Sequence, residues 1–184
     1  MKTCVFITGT NCVGKTTIAK KLQEYFGGIR ETTKDTTYCN DSRACFAGIY
    51  RDGLKHGGVD ALNQTKSLAG IVQKGLQTCD VVFCEGSYLD TFGQNLLNAI
   101  FAGQAQLYVY LHCNSTTLAK RNAERANKQT IMGGGVLGRM INRQNRTFLA
   151  AQKYASIGVP VLSFDTDKTA PDEIVRTILQ HLGL

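Results

Sequence analysis

The chain has 184 residues, 43% apolar and 19% charged, with 19 Gly, 2 Pro and no Trp, which excludes a disordered chain and predicts a single domain, 1–184, with one substantial core. Seven cysteines without a Cys-x-x-Cys pair argue against a disulfide framework and a structural zinc site, and no apolar run reaches the roughly 20 residues of a membrane span. A soluble, cytoplasmic protein with reduced thiols and no membrane partner is expected, and its net charge of +7 points to anionic ligands.

Cys4–Ile7 is short, apolar and uncharged, as a strand covered on both faces should be. It leads into Gly9-Thr10-Asn11-Cys12-Val13-Gly14-Lys15-Thr16-Thr17, after which Ile18, Leu22 and Tyr25 recur at helical spacing. Strand, glycine loop and helix in that order complete the phosphate-loop pattern Gly-x-x-x-x-Gly-Lys-Ser/Thr. The glycines let the backbone curl until successive N–H groups and the helix N-terminus face a phosphate chain, where the helix dipole favours negative charge. Lys15 would reach the β- and γ-phosphates and the Thr16 hydroxyl would bind Mg²⁺, so ATP and Mg²⁺ are the expected cofactors. The bland alternative is a glycine turn that fits the pattern by chance.

Gly28-Ile29-Arg30 reads as a weaker strand, and Leu62, Leu68, Ile71 and Val72 as a helix. Val81–Cys84 is a strong strand; Phe92, Leu96, Leu97 and Ile100 mark a helix, Leu107–Leu111 a strand, and Val159–Leu162 another. The last helix has Thr169 as its expected cap, Pro171, Asp172 and Glu173 in its first turn, and a stripe of Ile174, Ile178 and Leu182. Strands alternating with helices predict an α/β fold in three layers, a parallel five-stranded sheet with helices on both faces.

Glu85 directly follows an uncharged strand, at the sheet edge where open α/β folds bind ligands. It could hold the water shell of Mg²⁺ or accept the proton of an attacking hydroxyl; the other reading is a cap for a helix beginning near Tyr88. Residues 115–155 hold eight basic residues and one acidic, so the whole charge excess falls there. Arg121 and Arg125, four apart, share one helix face and can converge on one anion, or can be ordinary surface arginines. The glycine-rich stretch Met132–Gly138 predicts a basic lid over about 126–139, flanked by Arg139, Arg143 and Arg146. GTPase signatures Asp-x-x-Gly and Asn-Lys-x-Asp are absent from the expected places.

From Gly9 onward the order of elements resembles the small P-loop kinases of nucleosides and nucleotides, and thymidylate kinases most closely. The likeness spans the chain in element order, and the phosphate loop is its specific motif. In that family an Arg-Glu-Pro run contacts the acceptor; Arg30-Glu31-Thr32 stands there, which implies Arg30 and Glu31 as acceptor-binding residues. An Asp-Arg pair closes the family's third strand, where this chain has Glu85-Gly86 and so keeps the carboxylate without the arginine. That arginine binds the acceptor's phosphate, so its absence implies a hydroxyl acceptor. The arginine-rich lid is similar to Arg121, Arg125, Lys128 and Arg139, and Thr166-Asp167-Lys168 falls where such kinases hold adenine. One branch resembling thymidylate kinases consists of bacteriophage enzymes that phosphorylate the hydroxymethyl group of 5-hydroxymethyluracil in DNA, which implies a DNA acceptor and the host cytoplasm. A base in duplex DNA must be flipped out, and Tyr38, Phe46, Tyr50 and Tyr88 are stacking partners for it or members of the core. The alternatives are a kinase for a free deoxynucleoside or a nucleoside monophosphate such as dTMP, and an ATP- or nucleic-acid-binding protein without acceptor chemistry.

Overall fold

A computed structural model describes residues 2–50, 57–62, 68–87, 89, 105–125 and 134–184. In chain order these form β1 (Thr3–Thr8), α1 (Lys15–Tyr25), β2 (Ile29–Thr32), β3 (Thr36–Cys39), β4 (Ala44–Ala47), a 3₁₀ turn (Val59–Ala61), α2 (Leu68–Thr78) and β5 (Val81–Glu85). Then follow β6 (Ala105–His112), α3 (Ser115–Arg125), α4 (Gly134–Ser156), β7 (Val161–Asp165) and α5 (Pro171–Leu182).

Among the described residues the sheet has seven strands, in the order β2-β3-β4-β5-β1-β6-β7. The five from β4 to β7 in that order are parallel, while β3 is antiparallel to β4 and β2 to β3. The expected α/β architecture holds, but the strand count of five is corrected to seven. Gly28-Ile29-Arg30 belongs to the antiparallel edge, and the parallel strand beside β5 is β4. Composition hid that strand: Ala44-Cys45-Phe46-Ala47 has one large side chain, and Thr36-Thr37-Tyr38-Cys39 beside it is half polar, yet β4 is wholly buried.

β1 divides the core. Val5 and Ile7 pack with Ile18 and Leu22 of α1 and Ile174 and Ile178 of α5, while Cys4 and Phe6 pack with Leu68 and Val72 of α2 and Ala151 and Tyr154 of α4. Each large apolar side chain buried this way contributes on the order of 1.5–3 kcal/mol, so β1, buried along its length, is the wall shared by both layers.

Several element ends differ from expectation. β7 starts at Val161 because Pro160 has no N–H to give; only its carbonyl pairs, with Tyr108. Ala170, not Thr169, precedes α5 as its cap residue, without a side-chain hydrogen bond, and Pro171 opens the helix. Tyr25 is half exposed because Phe26 takes the inward place at the end of α1. Leu62 is separated from α2 and follows the 3₁₀ turn. Residues 134–139 of the expected lid are the start of α4, held by Val136, Leu137 and Met140 against the core; its remainder, with Lys128, and the helix expected at Phe92–Ile100 lie outside the described residues. Among the described residues no helix is long and apolar enough to cross a membrane.

Candidate active site

The phosphate loop leaves β1 at Gly9, whose φ is 137° and where a Cβ would sit 2.4 Å from the Leu111 carbonyl oxygen, so only glycine passes under β6 here. Cys12 and Gly14, with φ of 66° and 92°, complete the curl. α1 then begins with no side-chain cap and no acidic residue in its first turn, which leaves its dipole for an external anion. A Cβ on Gly14 would meet nothing within 4 Å. Asn11, Cys12, Val13, Gly14, Lys15, Thr16 and Thr17 line one side of a cleft of about 830 Å³; Gly9 and Thr10 do not line it.

Lys15 is buried, and its Nζ donates to the Thr10 carbonyl at 2.8 Å and to Ser87 Oγ at 2.9 Å. Burial holds its pKa below the ordinary value, against the pull of the Glu85 and Asp60 charges. The Thr10 hydroxyl is buried without a hydrogen-bond partner among the described residues.

Glu85 ends β5 and is only 2% exposed. Its Oε1 accepts from Thr16 Oγ1 at 3.4 Å and its Oε2 from the Tyr50 hydroxyl at 3.1 Å, so both oxygens are taken up by α1 and Tyr50. Burial pushes Glu85 up to about 7; Lys15 opposes this and the charge of Asp60 adds to it. Both Asp60 oxygens accept the Ser87 N–H, at 2.9 and 2.8 Å, and Ser87 Oγ donates to Asn11 Oδ1 at 2.7 Å.

Glycines make this convergence possible. A Cβ on Gly58, which has φ +65°, would lie 2.3 Å from the Glu85 carbonyl oxygen, and one on Gly48 would lie 2.1 Å from the Gly58 backbone. A Cβ on Gly86 would come within 2.7 Å of Asp60 Oδ1. Three chain segments, 48–50, 57–60 and 85–87, therefore close on one another as backbone on backbone.

Beside the phosphate loop, Arg121 donates from Nη1 to Thr166 Oγ1 at 3.0 Å and to the Cys12 carbonyl at 3.4 Å, and from Nη2 to the Thr166 carbonyl at 3.1 Å. It also stands 3.8 Å from Asp167. Arg121, Arg125, Thr166, Thr169, Pro171 and Ile174 share this side, so both predicted arginines reach the cleft. Arg30 and Glu31 do not line it: they are exposed on β2, with the Arg30 guanidinium 5.8 Å from the Tyr38 ring centre, and Ile29 lines the wall instead. Of the aromatics, Phe46 stacks on Phe83 in the core at 4.9 Å and Tyr50 reaches the site; Tyr88 lies outside the described residues.

Asp60 and Ser87 carry no motif and sequence reasoning missed them; the one signal is the run of glycines around them, Gly57, Gly58 and Gly86. The residues present fit a nucleotide and Mg²⁺. The open turn at Gly14, the uncapped start of α1 and the inward Lys15 suit a phosphate chain, and the Thr16 hydroxyl with the Glu85 carboxylate supplies the hard oxygen donors Mg²⁺ prefers.

The sequence matches the family described as chromatin associated protein KTI12 over residues 3–182. The fold is similar to that of YorR protein from Bacillus subtilis, solved in complex with phosphorylated GDP, with a TM-score of 0.54, 16% identity, and coverage of 100% of this chain and 96% of that one. It is also similar to a gluconokinase from Sinorhizobium meliloti 1021, with a TM-score of 0.52 and 16% identity over 99% of this chain and 91% of that one. At such identity the likeness establishes a P-loop kinase-like fold. No curated protein sequence matches the chain.

Proposed function

The chain belongs to the KTI12 family, and from that premise, its phosphate loop and the carboxylate facing that loop, we propose that it transfers the γ-phosphoryl group of ATP to a hydroxyl acceptor. The observation that carries this reading is the position of Glu85, buried between Thr16 on the donor side and Tyr50 on the other. Thr10 to Thr16 wrap the triphosphate and Lys15 turns from Thr10 and Ser87 to its β- and γ-oxygens. Arg121 and Arg125 supply cationic donors from α3, Arg121 from its anchorage on Thr166 beside the loop. Thr16, with Glu85 through water, would hold Mg²⁺, which when bound neutralises phosphate charge.

The acceptor enters beside Tyr50, Gly57 and Asp60, which line the cleft next to Glu85. Its hydroxyl proton passes to the Glu85 carboxylate as the acceptor oxygen bonds to the γ-phosphorus; the bond from that phosphorus to the bridging oxygen breaks, and ADP leaves. A phosphate acceptor fits this wall poorly. Where related kinases carry an arginine stands Gly86, and Asp60 fills the space its side chain would need. The wall then presents two carboxylates, Asp60 and Glu85, which repel a second phosphate. The preferred acceptor is the hydroxymethyl group of 5-hydroxymethyluracil carried on DNA.

ATP labelled on its γ-phosphate, offered with DNA containing 5-hydroxymethyluracil, with free deoxynucleosides and with dTMP, tests this. Label in the hydroxymethyl group of DNA is the expected result. Label in free nucleosides would keep the hydroxyl chemistry and move the acceptor, label in dTDP formed from dTMP would defeat the two-carboxylate reasoning, and no label in any arm would leave an ATP-binding protein without acceptor chemistry.

A further inference from the structure

We propose that the outer face of α4 is a docking track for the phosphodiester backbone of DNA, an inference that rests on the reading that the acceptor is carried on DNA. From residue 126 to residue 164 the chain contains no Asp or Glu, and α4 contributes Arg139, Arg143, Arg146 and Lys153. Arg139, Arg146 and Lys153 are exposed and seven residues apart. Seven residues are nearly two helical turns, so the three cations stand almost in line, about 10.5 Å apart and about 21 Å from first to last. That length covers roughly six base pairs of duplex at about 3.4 Å each. Asn142, also exposed, lies three residues after Arg139 and four before Arg146 and adds a neutral amide donor on the same side.

The inner face is fixed: Met140, Ala151 and Tyr154 are buried in the core, which holds the cations outward. The start of the helix stands by the phosphate loop, because Val136, Leu137 and Met140 share a core with Cys12 and Val13, and the charge of Arg143 is felt at Lys15. The track therefore runs from the donor end of the site along one flank. A helix lying in a membrane surface keeps its apolar stripe outward; here that stripe is spent on the core, and Phe148 and Leu149 are the large apolar side chains among the described residues of α4 that interrupt a polar outer face. Charge complementarity selects a polyanion.

The test uses the whole chain and a fluorescent 30-base-pair duplex titrated at several salt concentrations. The pair of substitutions Arg146→Gln and Lys153→Gln should weaken binding at least about tenfold at low salt and lower the log–log salt slope by about 1.8, two contacts at roughly 0.9 each. ADP affinity by calorimetry should stay as in the native chain, and the charge-conserving pair Arg146→Lys and Lys153→Arg should bind DNA normally. An unchanged slope in the glutamine pair, equal loss in the charge-conserving pair, or stronger binding to phosphatidylserine vesicles than to DNA would overturn the proposal. DNA binding through α4 without phosphoryl transfer would remove the acceptor reading alone; transfer to DNA with an unchanged slope would remove the track alone.

Discussion

The two ends of the cleft are built by different means. The donor end is nine consecutive residues, Gly9–Thr17, and works through backbone amides and a helix terminus, so its shape follows from a few local dihedrals. The opposite end is assembled from three segments, 48–50, 57–60 and 85–87, that meet only because β4 and β5 pair in register and glycines let their backbones touch. Its chemistry rests on side chains: Tyr50, Asp60, Glu85 and Ser87. A local loop tolerates disturbance elsewhere in the sheet, whereas a convergence of distant segments fails when any one of them shifts. Nucleotide binding and phosphoryl transfer should therefore come apart under mutation.

Glu85→Gln carries the largest expected loss. It removes the proton acceptor and keeps the shape, so transfer should fall about 10²- to 10⁴-fold while ADP affinity, measured by calorimetry, stays close to native. A parallel loss of both would assign Glu85 to the donor end alone. Lys15→Ala is the counterpart: transfer should fall about 10²- to 10³-fold, and here nucleotide affinity should fall with it. Retained affinity would mean that the backbone amides alone hold the phosphates.

The same division decides what could be read from the sequence. The donor end was legible because every residue of it lies in one motif with a fixed order of strand, loop and helix. Glu85 was legible through position, a carboxylate after an uncharged strand. Tyr50 could be read only as a stacking or core aromatic, because it follows β4, and Thr36–Cys39 and Ala44–Ala47 have too little apolar contrast to announce strands; Asp60 and Ser87 meet only through the fold. Arg30 and Glu31 stand outside the cleft for a related reason. Once the edge turns antiparallel, the β2 side chains face solvent and only Ile29 reaches the cleft. Thr169 shows a smaller version, a good capping residue one position early, used to line the cleft.

Gly58→Ala sharpens the comparison without removing a reacting group. The new Cβ would press on the Glu85 backbone at 2.3 Å, on the Glu85 carboxylate Oε2 at 2.7 Å and on the Tyr50 hydroxyl at 2.9 Å, at a φ that side chains avoid. Overpacking of this kind costs about 1–3 kcal/mol, read as a shift of the urea midpoint at constant slope. The folded protein should still bind ADP and should transfer poorly; loss of ADP binding at equal folded fraction would show the two ends to be mechanically coupled.

Tyr50→Phe is the smallest change and the most selective. It deletes one hydroxyl, the donor to Glu85 Oε2, and leaves the ring packed on Phe46 at 5.6 Å, so the fold loses little. The carboxylate then keeps only the Thr16 contact and gains freedom to turn toward the donor side. Transfer should fall about tenfold in kcat, roughly 1.4 kcal/mol in the barrier, with acceptor KM and ADP affinity unchanged. In the Glu85→Gln background the same substitution should cost almost nothing, because the carboxylate it orients is already gone. Independent, additive losses in the double variant would mean that Tyr50 acts on the acceptor directly, by stacking or hydrogen bonding, and not through Glu85.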